Sequence, residues 1–304
     1  MVTIEQQKRE NKIASGEKKE KEQKIKEVTS FGIVLRKLKR QPISIIGIFM
    51  VLVATFFAIF AYTLAPHDPF EIDLSKRMLP PSSEHWLGTD QMGRDLVSRI
   101  LVGFRTSLTV GLATAALSGG IGLIVGLISG YFGGIIDETL MRITDTILVI
   151  PSFFLYIVAA AMFEVRGIEI IILIMGCVMW TVFARIVRSE VLSLKERTYV
   201  EAARSMGASN FRILFRHILP NALASIIVVI VLRAGQAILI EASLSFLGLS
   251  DPTACTLGSM LAIAHATLRA AWWITTFPGL AIAWIILGLN LLADGLRDAL
   301  DVRL

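Results

Sequence analysis

Charge is scarce in this chain of 304 residues, and cysteine scarcer. Asp, Glu, Lys and Arg supply only 18% of positions, where a soluble domain carries roughly a quarter. Apolar types supply 54%, gathered into long uncharged runs, and that arrangement excludes an ordinary soluble fold. Two cysteines, Cys177 and Cys255, give no disulfide framework and no thiolate metal site. No Gly-x-x-x-x-Gly-Lys-Ser/Thr is present, so the chain has no phosphate loop of its own. His-Glu-x-x-His is absent too, and His67, His85, His217 and His265 are scattered. His67 and His85 share one loop, where a metal site is the sharper reading. The plainer one, two solvated side chains, is the expectation, and no metal ligands are assigned. Ser82, Ser83 and Ser259 lack the Gly-x-Ser-x-Gly setting of an exposed nucleophile. An enzyme is not expected.

What is present is a series of membrane-length runs. A helix needs roughly 20 apolar residues to cross the hydrocarbon. Residues 43–65, 106–130, 146–163 and 270–293 are uncharged, 170–184 is extendable at both ends, and 218–247 is interrupted by Arg233 and Glu241. The expectation is an all-α integral membrane protein of about six spans. The first run begins too late and runs too long for a cleaved signal peptide, and reads as a retained anchor. Gly122, Gly126 and Gly130 form a small-residue stripe, for packing within the bundle or, alternatively, for a subunit seam. Pro151 and Pro278 should bend their helices.

Residues 1–42 hold 12 Lys/Arg and 6 Asp/Glu and read as a basic, solvated tail. A nucleic-acid role for it is the weaker alternative to the positive-inside rule. If the N-terminus is cytoplasmic, 22 Lys/Arg fall on that side and 7 on the other, placing both termini inside. The organisation is then a tail (1–42), a first span (43–65), an outer loop (66–98) and a five-helix core (99–304). Trp86, Trp272 and Trp273 fall at or near the outer face.

The cytoplasmic loop 195–217 is the most informative segment. Thr198 and Glu201 have capping-box spacing, which starts a short helix near Tyr199. Gly207 suits a left-handed cap that stops it after about two turns. Ser209 caps a second helix with Phe211, Leu214 and Phe215 on one face and Arg212 and Arg216 elsewhere, and Pro220 marks the turn into the fifth span. A helix–glycine–helix unit lying flat under the membrane follows. On periodicity alone it is either an interfacial anchor or a docking element.

Glu201-Ala202-Ala203, Gly207 and Ile218-Leu219-Pro220 resemble the Glu-Ala-Ala signature of ABC-importer permease subunits, with His217 where the family usually has an apolar residue. Trp86-Leu-Gly-Thr-Asp-Gln-Met-Gly-Arg-Asp95, Gly133-Gly-Ile-Ile-Asp137 with Met141-Arg142, Glu241-Ala-Ser-Leu-Ser-Phe-Leu-Gly248 and Asp294-Gly-Leu-Arg-Asp-Ala-Leu-Asp301 are similar to signatures of its dipeptide/oligopeptide/nickel group, C-type. The resemblance covers about residues 31–304. It implies a type I importer permease in a prokaryotic cell membrane, made of two homologous permeases, two ATPases and an external solute-binding protein. ATP and Mg would sit on the ATPases, with no cofactor on this chain. It also implies ATPase coupling through Glu201, Ala202, Ala203, Gly207, Arg212, His217, Leu219 and Pro220. The solute stays open among dipeptides, longer peptides, nickel chelates and oligosaccharides; a secondary transporter is the rival outside the family. A charge near the bilayer centre costs about 2.5–3.5 kcal/mol, so Arg233 and Glu241 must face protein or water. Either they pair inside the bundle, or Arg233 faces the pathway and meets an anionic part of the solute.

Overall fold

The structure, a computed structural model, describes residues 41–163, 167–251, 253–264 and 269–300. The basic tail up to residue 40 and His265 lie outside the described residues. Five described helices are long and apolar enough to cross a membrane, and a sixth span is reached if one pair of helices, bent by 81° at its break, crosses as a unit.

The first span is α1 (Pro42–Ile59) followed by the single turn α2 (Ala61–Leu64), so the apolar run at 43–65 is helical with a break at Phe60. Next comes α3 (Leu96–Phe132), longer than its apolar stretch because Asp95 caps it far upstream, accepting from the Ser98 amide. The loop expected at 66–98 therefore ends at Asp95. At about 1.5 Å per residue the 37 residues of α3 span roughly 55 Å, against about 30 Å of hydrocarbon. Both ends project.

After the turn at Gly133 run α4 (Gly134–Val149) and α5 (Ser152–Met162), which meet at 81°. The uncharged run at 146–163 is thus not one bent helix but a broken one. Pro151 lacks an amide hydrogen and pushes Ile150 into extended backbone (φ −83°, ψ 127°), which ends α4. Helix α6 (Ile168–Lys195) outlasts its apolar stretch, 170–184, by eleven residues, carrying Arg185 and Arg188 as part of the helix. A short α7 (Thr198–Ser205) and α8 (Asn210–Ile213) lead through a π turn at Leu214–Ile218 into α9 (Leu219–Phe246). The small α10 (Leu257–Ala264) precedes α11 (Trp273–Leu300), which Pro278 enters without ending.

The glycine stripe settles how α3 packs. A Cβ at Gly122 would collide with Phe183, one at Gly126 would sit 2.6 Å from the Val187 Cβ, and one at Gly130 2.9 Å from the Val191 Cβ. All three partners lie on α6 at matching intervals of four, so the stripe is a seam inside this chain. A second close contact joins α1 to α11, where Gly288 lies under Met50. Most of the core follows from these crossings: one cluster around Leu96, Phe104, Ile238 and Ile285, and another around Leu127, Val191, Val200 and Ile218 at the far end of α3.

Candidate coupling unit and translocation pathway

At the C-terminal end of α3, residues 195–217 fold as a lever fixed to the bundle. Val200 and Ala203 on α7, and Ile213 and Ile218 beyond it, are buried, while Glu201, Ala202, Arg204 and Met206 face outward. Two tethers hold the unit in place. The Tyr131 hydroxyl donates to Asn210 Oδ1 at 2.9 Å, and Lys195 Nζ donates to the Tyr131 carbonyl at 2.6 Å. Nearby, Arg188 clamps Asp137 with two parallel hydrogen bonds of 2.6 Å, tying α4 to α6.

Gly207 stops α7 as its type implies. Its φ is +78°, its amide donates to the Arg204 carbonyl and the Ala208 amide to the Ala203 carbonyl, which together make a Schellman motif. A Cβ there would meet nothing within 4 Å, so backbone conformation alone selects glycine. Ser209 also performs as expected, its hydroxyl accepting from the Arg212 amide.

Three expectations for this unit need correction. The capping box does not form: α7 starts one residue early, its N-cap is Arg197, and no side chain caps it. Only Glu196 and Arg197 separate α7 from α6, and in that short link the burial of Val200 sets where the helix begins. The second helix does not lie apart from the span either. It is the first turn of one helical stretch from Asn210 to Phe246, and Pro220 lies inside that stretch. The π turn immediately upstream accommodates the missing proline amide, and the Asn221 side chain donates to the His217 carbonyl at 2.6 Å. The widened turn brings Ile218 to the buried face and leaves His217 at its margin. Finally, Leu214 turns inward while Phe211 and Phe215 stay exposed, their rings 4.3 Å apart. Between α7 and the π turn lies a cleft of about 340 Å³ lined by Ala203, Met206, Ala208, Arg212, Arg216 and His217. Leu219 is half-buried and Pro220 exposed beside it.

Arg233 and Glu241, the charges within α9, do not meet. Glu241 is fully buried, accepting from the Ser245 hydroxyl at 2.6 Å with Thr256 beside it. Arg233 is half-buried, donates to Gln236 Oε1 at 2.6 Å, and makes no ion pair among the described residues. It lines a cleft of about 220 Å³ with Ser152, Tyr156, Thr181 and Gln236, directly beside the break between α4 and α5.

At the opposite end of α3 the loop motif from Trp86 to Asp95 is a compact knot. Asp90 accepts from the Met92 and Arg94 amides and from Arg94 Nε at 2.7 Å, and buried Arg99 lies 3.4 Å from the same carboxylate. Trp273 is buried, its indole donating to the Thr89 carbonyl, whereas Trp86 and Trp272 are exposed. Only those two suit an interfacial belt. His85 is not a solvated side chain: it is buried, and it stacks at 4.7 Å on the half-exposed His67 beside Asp95. No local spacing linked these three residues. Both cysteines are free, Cys255 buried in this region and Cys177 exposed.

Fold and site together define a multi-span membrane protein with a packed helix–glycine–helix unit at one end of α3 and a knotted loop at the other. Residues 122–304 match the family described as the binding-protein-dependent transport system inner membrane component, and residues 29–81 match the N-terminal transmembrane domain of oligopeptide transport permease C. The chain is 40% identical over 267 residues to a probable D,D-dipeptide transport system permease protein of Escherichia coli strain K12, covering 88% of this chain and 89% of the relative. It is 41% identical over 271 residues to a glutathione transport system permease protein of Pectobacterium atrosepticum, covering 88% and 90%. To an oligopeptide transport system permease protein of Bacillus subtilis it is 39% identical over 269 residues, covering 88% of each. The chain belongs to the binding-protein-dependent transport permease family and is a multi-pass inner-membrane component.

Proposed function

We propose that this chain is one permease subunit of an ATP-driven importer for peptides or peptide-like solutes. It pairs with a second, homologous permease, each supplying half of the translocation pathway, and docks on two ATPase subunits that bind ATP and Mg and carry out the hydrolysis. An external solute-binding protein delivers the solute, and both termini lie in the cytoplasm with the lever of residues 195–217. The relatives' names, dipeptide, glutathione and oligopeptide permeases, support the solute class; nickel chelates and oligosaccharides are the alternatives within the family.

The observation that carries the reading is the lever itself. A two-turn helix, pinned to the bundle by Val200 and Ala203, presents Glu201, Ala202, Arg204 and Met206 outward. Its Gly207 stop turns the chain straight back into α8 and thence into α9. A push on α7 is therefore delivered to α9, the helix that bears Arg233. The buried core under α7 makes the unit a rigid strut, since packed interiors transmit displacement.

In the pathway, Arg233 lines the cleft at the broken span and meets the carboxylate of a peptide. Glu241 supports α9 from behind as a buried, hydrogen-bonded group. Uptake measured in vesicles with the neighbouring ATPases present and absent tests the function: loss of uptake without ATP or without the ATPases is expected. Uptake driven by an ion gradient alone would make the chain a secondary transporter.

A further inference from the structure

At the end of α3 remote from the lever, three side chains from separate stretches of sequence converge. His85 Nδ1 lies 3.0 Å from Asp95 Oδ1, and His67 Nδ1 lies 3.7 Å from the same oxygen. One ligand atom from each residue falls within 4.8 Å of those of the other two. Four-coordinate zinc with bonds of about 2.0–2.1 Å holds its ligand atoms roughly 3.4 Å apart. Two of the contacts already bracket that spacing.

The surroundings hold the three groups in place. The second oxygen of Asp95 accepts from both the amide and the hydroxyl of Ser98, at 2.8 and 2.7 Å, which fixes the carboxylate. The same Ser98 hydroxyl accepts from the His67 backbone amide at 3.1 Å, which brings that residue to the helix end. His85 is 4% exposed, and two ring nitrogens are buried without a hydrogen-bond partner among the described residues: His85 Nε2 and His67 Nδ1. Buried polar atoms are rarely left unsatisfied, and each such case asks for an explanation.

We propose that His67, His85 and Asp95 bind a divalent transition-metal ion of the zinc class. The ion takes His67 Nδ1, His85 Nδ1 and Asp95 Oδ1, and water fills its fourth position. Binding displaces the proton that His85 Nδ1 shares with Asp95 to solvent, and Nε2 takes one up in its place, so the imidazole stays neutral. The imidazole then carries its hydrogen on Nε2, where Glu84 Oε1 lies 4.0 Å away. His67 Nδ1 thereby gains a role as a ligand, and His85 Nε2 becomes the protonated nitrogen on the side of Glu84, whose carboxylate at 4.0 Å is held by Lys76 and acts on it through charge, not through a direct hydrogen bond. Two imidazoles and one carboxylate suit zinc, cobalt or nickel; calcium and magnesium prefer all-oxygen ligands. Bound there, the ion ties the loop of residues 66–85 to the start of α3.

The test is Zn²⁺ binding to the full-length chain, purified with its partner subunits in lipid nanodiscs, with Co²⁺ absorption as a second readout. One zinc per chain is expected, not displaced by Ca²⁺ or Mg²⁺, with intense visible Co²⁺ bands of four-coordination. His67→Ala, which removes a ring whose Nδ1 makes no hydrogen bond among the described residues, should weaken binding by roughly tenfold or more, and Glu84→Gln by a smaller factor. If His85→Asn fails to assemble, His67→Ala alone decides. No zinc retained above a buffer control, or zinc held as tightly by His67→Ala as by the parent, would overturn the proposal.

Discussion

Replacing Gly207 by valine tests the lever at a point where its effect can be worked out. The residue sits at φ +78°, and nothing lies within 4 Å of where a Cβ would stand. Steric collision is thus absent, and the whole cost is conformational. A left-handed residue with a side chain costs about 1–2 kcal/mol, more for a β-branched one. The chain relieves that strain by opening the cap, which forfeits the hydrogen bonds from the amides of Gly207 and Ala208. Each is worth about 0.5–1.5 kcal/mol. Either route loosens α7 by about 1–2 kcal/mol, a roughly 5- to 30-fold shift in local opening. Hydrogen exchange at positions 207 and 208 should accelerate by that factor, and ATP-driven uptake should fall while membrane insertion and abundance hold. Asparagine tolerates the left-handed region, so Gly207→Asn should retain most uptake. Equal uptake by the valine and asparagine variants would refute the reasoning.

Further expectations follow from the packing and the pathway. Gly126→Val drives a branched side chain into Val187 and the Ala184 carbonyl on α6, an overpacking worth about 1–3 kcal/mol or more; the yield of folded chain in membranes should drop, and normal yield would mean the seam yields freely. Arg233→Ala should reduce uptake of peptides with a free C-terminal carboxylate at least tenfold while sparing C-terminally amidated ones; unchanged uptake of both removes Arg233 from the pathway. Burial pushes the Cys255 thiol up from its ordinary value, leaving less thiolate at neutral pH. In a Cys177→Ser chain, maleimide labelling should therefore be slow until the fold is disrupted, and rapid labelling of the intact chain would show that this loop opens.

How far the sequence alone reached differs by element. The spans were legible because membrane insertion demands long uncharged runs, and Gly207 because a left-handed stop leaves a residue-type signature. Glycines spaced by four announced a close seam, but the partner helix α6 became known only in three dimensions. Boundaries were harder. Helix α3 begins at Leu96, just after its cap Asp95, and α6 ends at Lys195 because capping and packing, not hydrophobicity, decide where those helices start and stop. The capping box failed because a two-residue link and the burial of Val200 outweigh a local side-chain bond. Pro151 was read as a bend, yet an extended Ile150 turned it into an 81° break. His67 and His85 were legible as two histidines of one loop, but the part of Asp95 and the burial of His85 were not, since the Ser98 tether that joins His67 to the start of α3 exists only in the fold.

The central claim is that the exposed face of α7 seats on an ATPase. Met206, 81% exposed at the end of that helix, is the residue to use. With Cys177 and Cys255 replaced by serine, Met206→Cys should cross-link to an ATPase subunit in intact membranes, in a yield that changes with ATP. A chain that supports uptake yet never cross-links there, with or without nucleotide, would contradict the account.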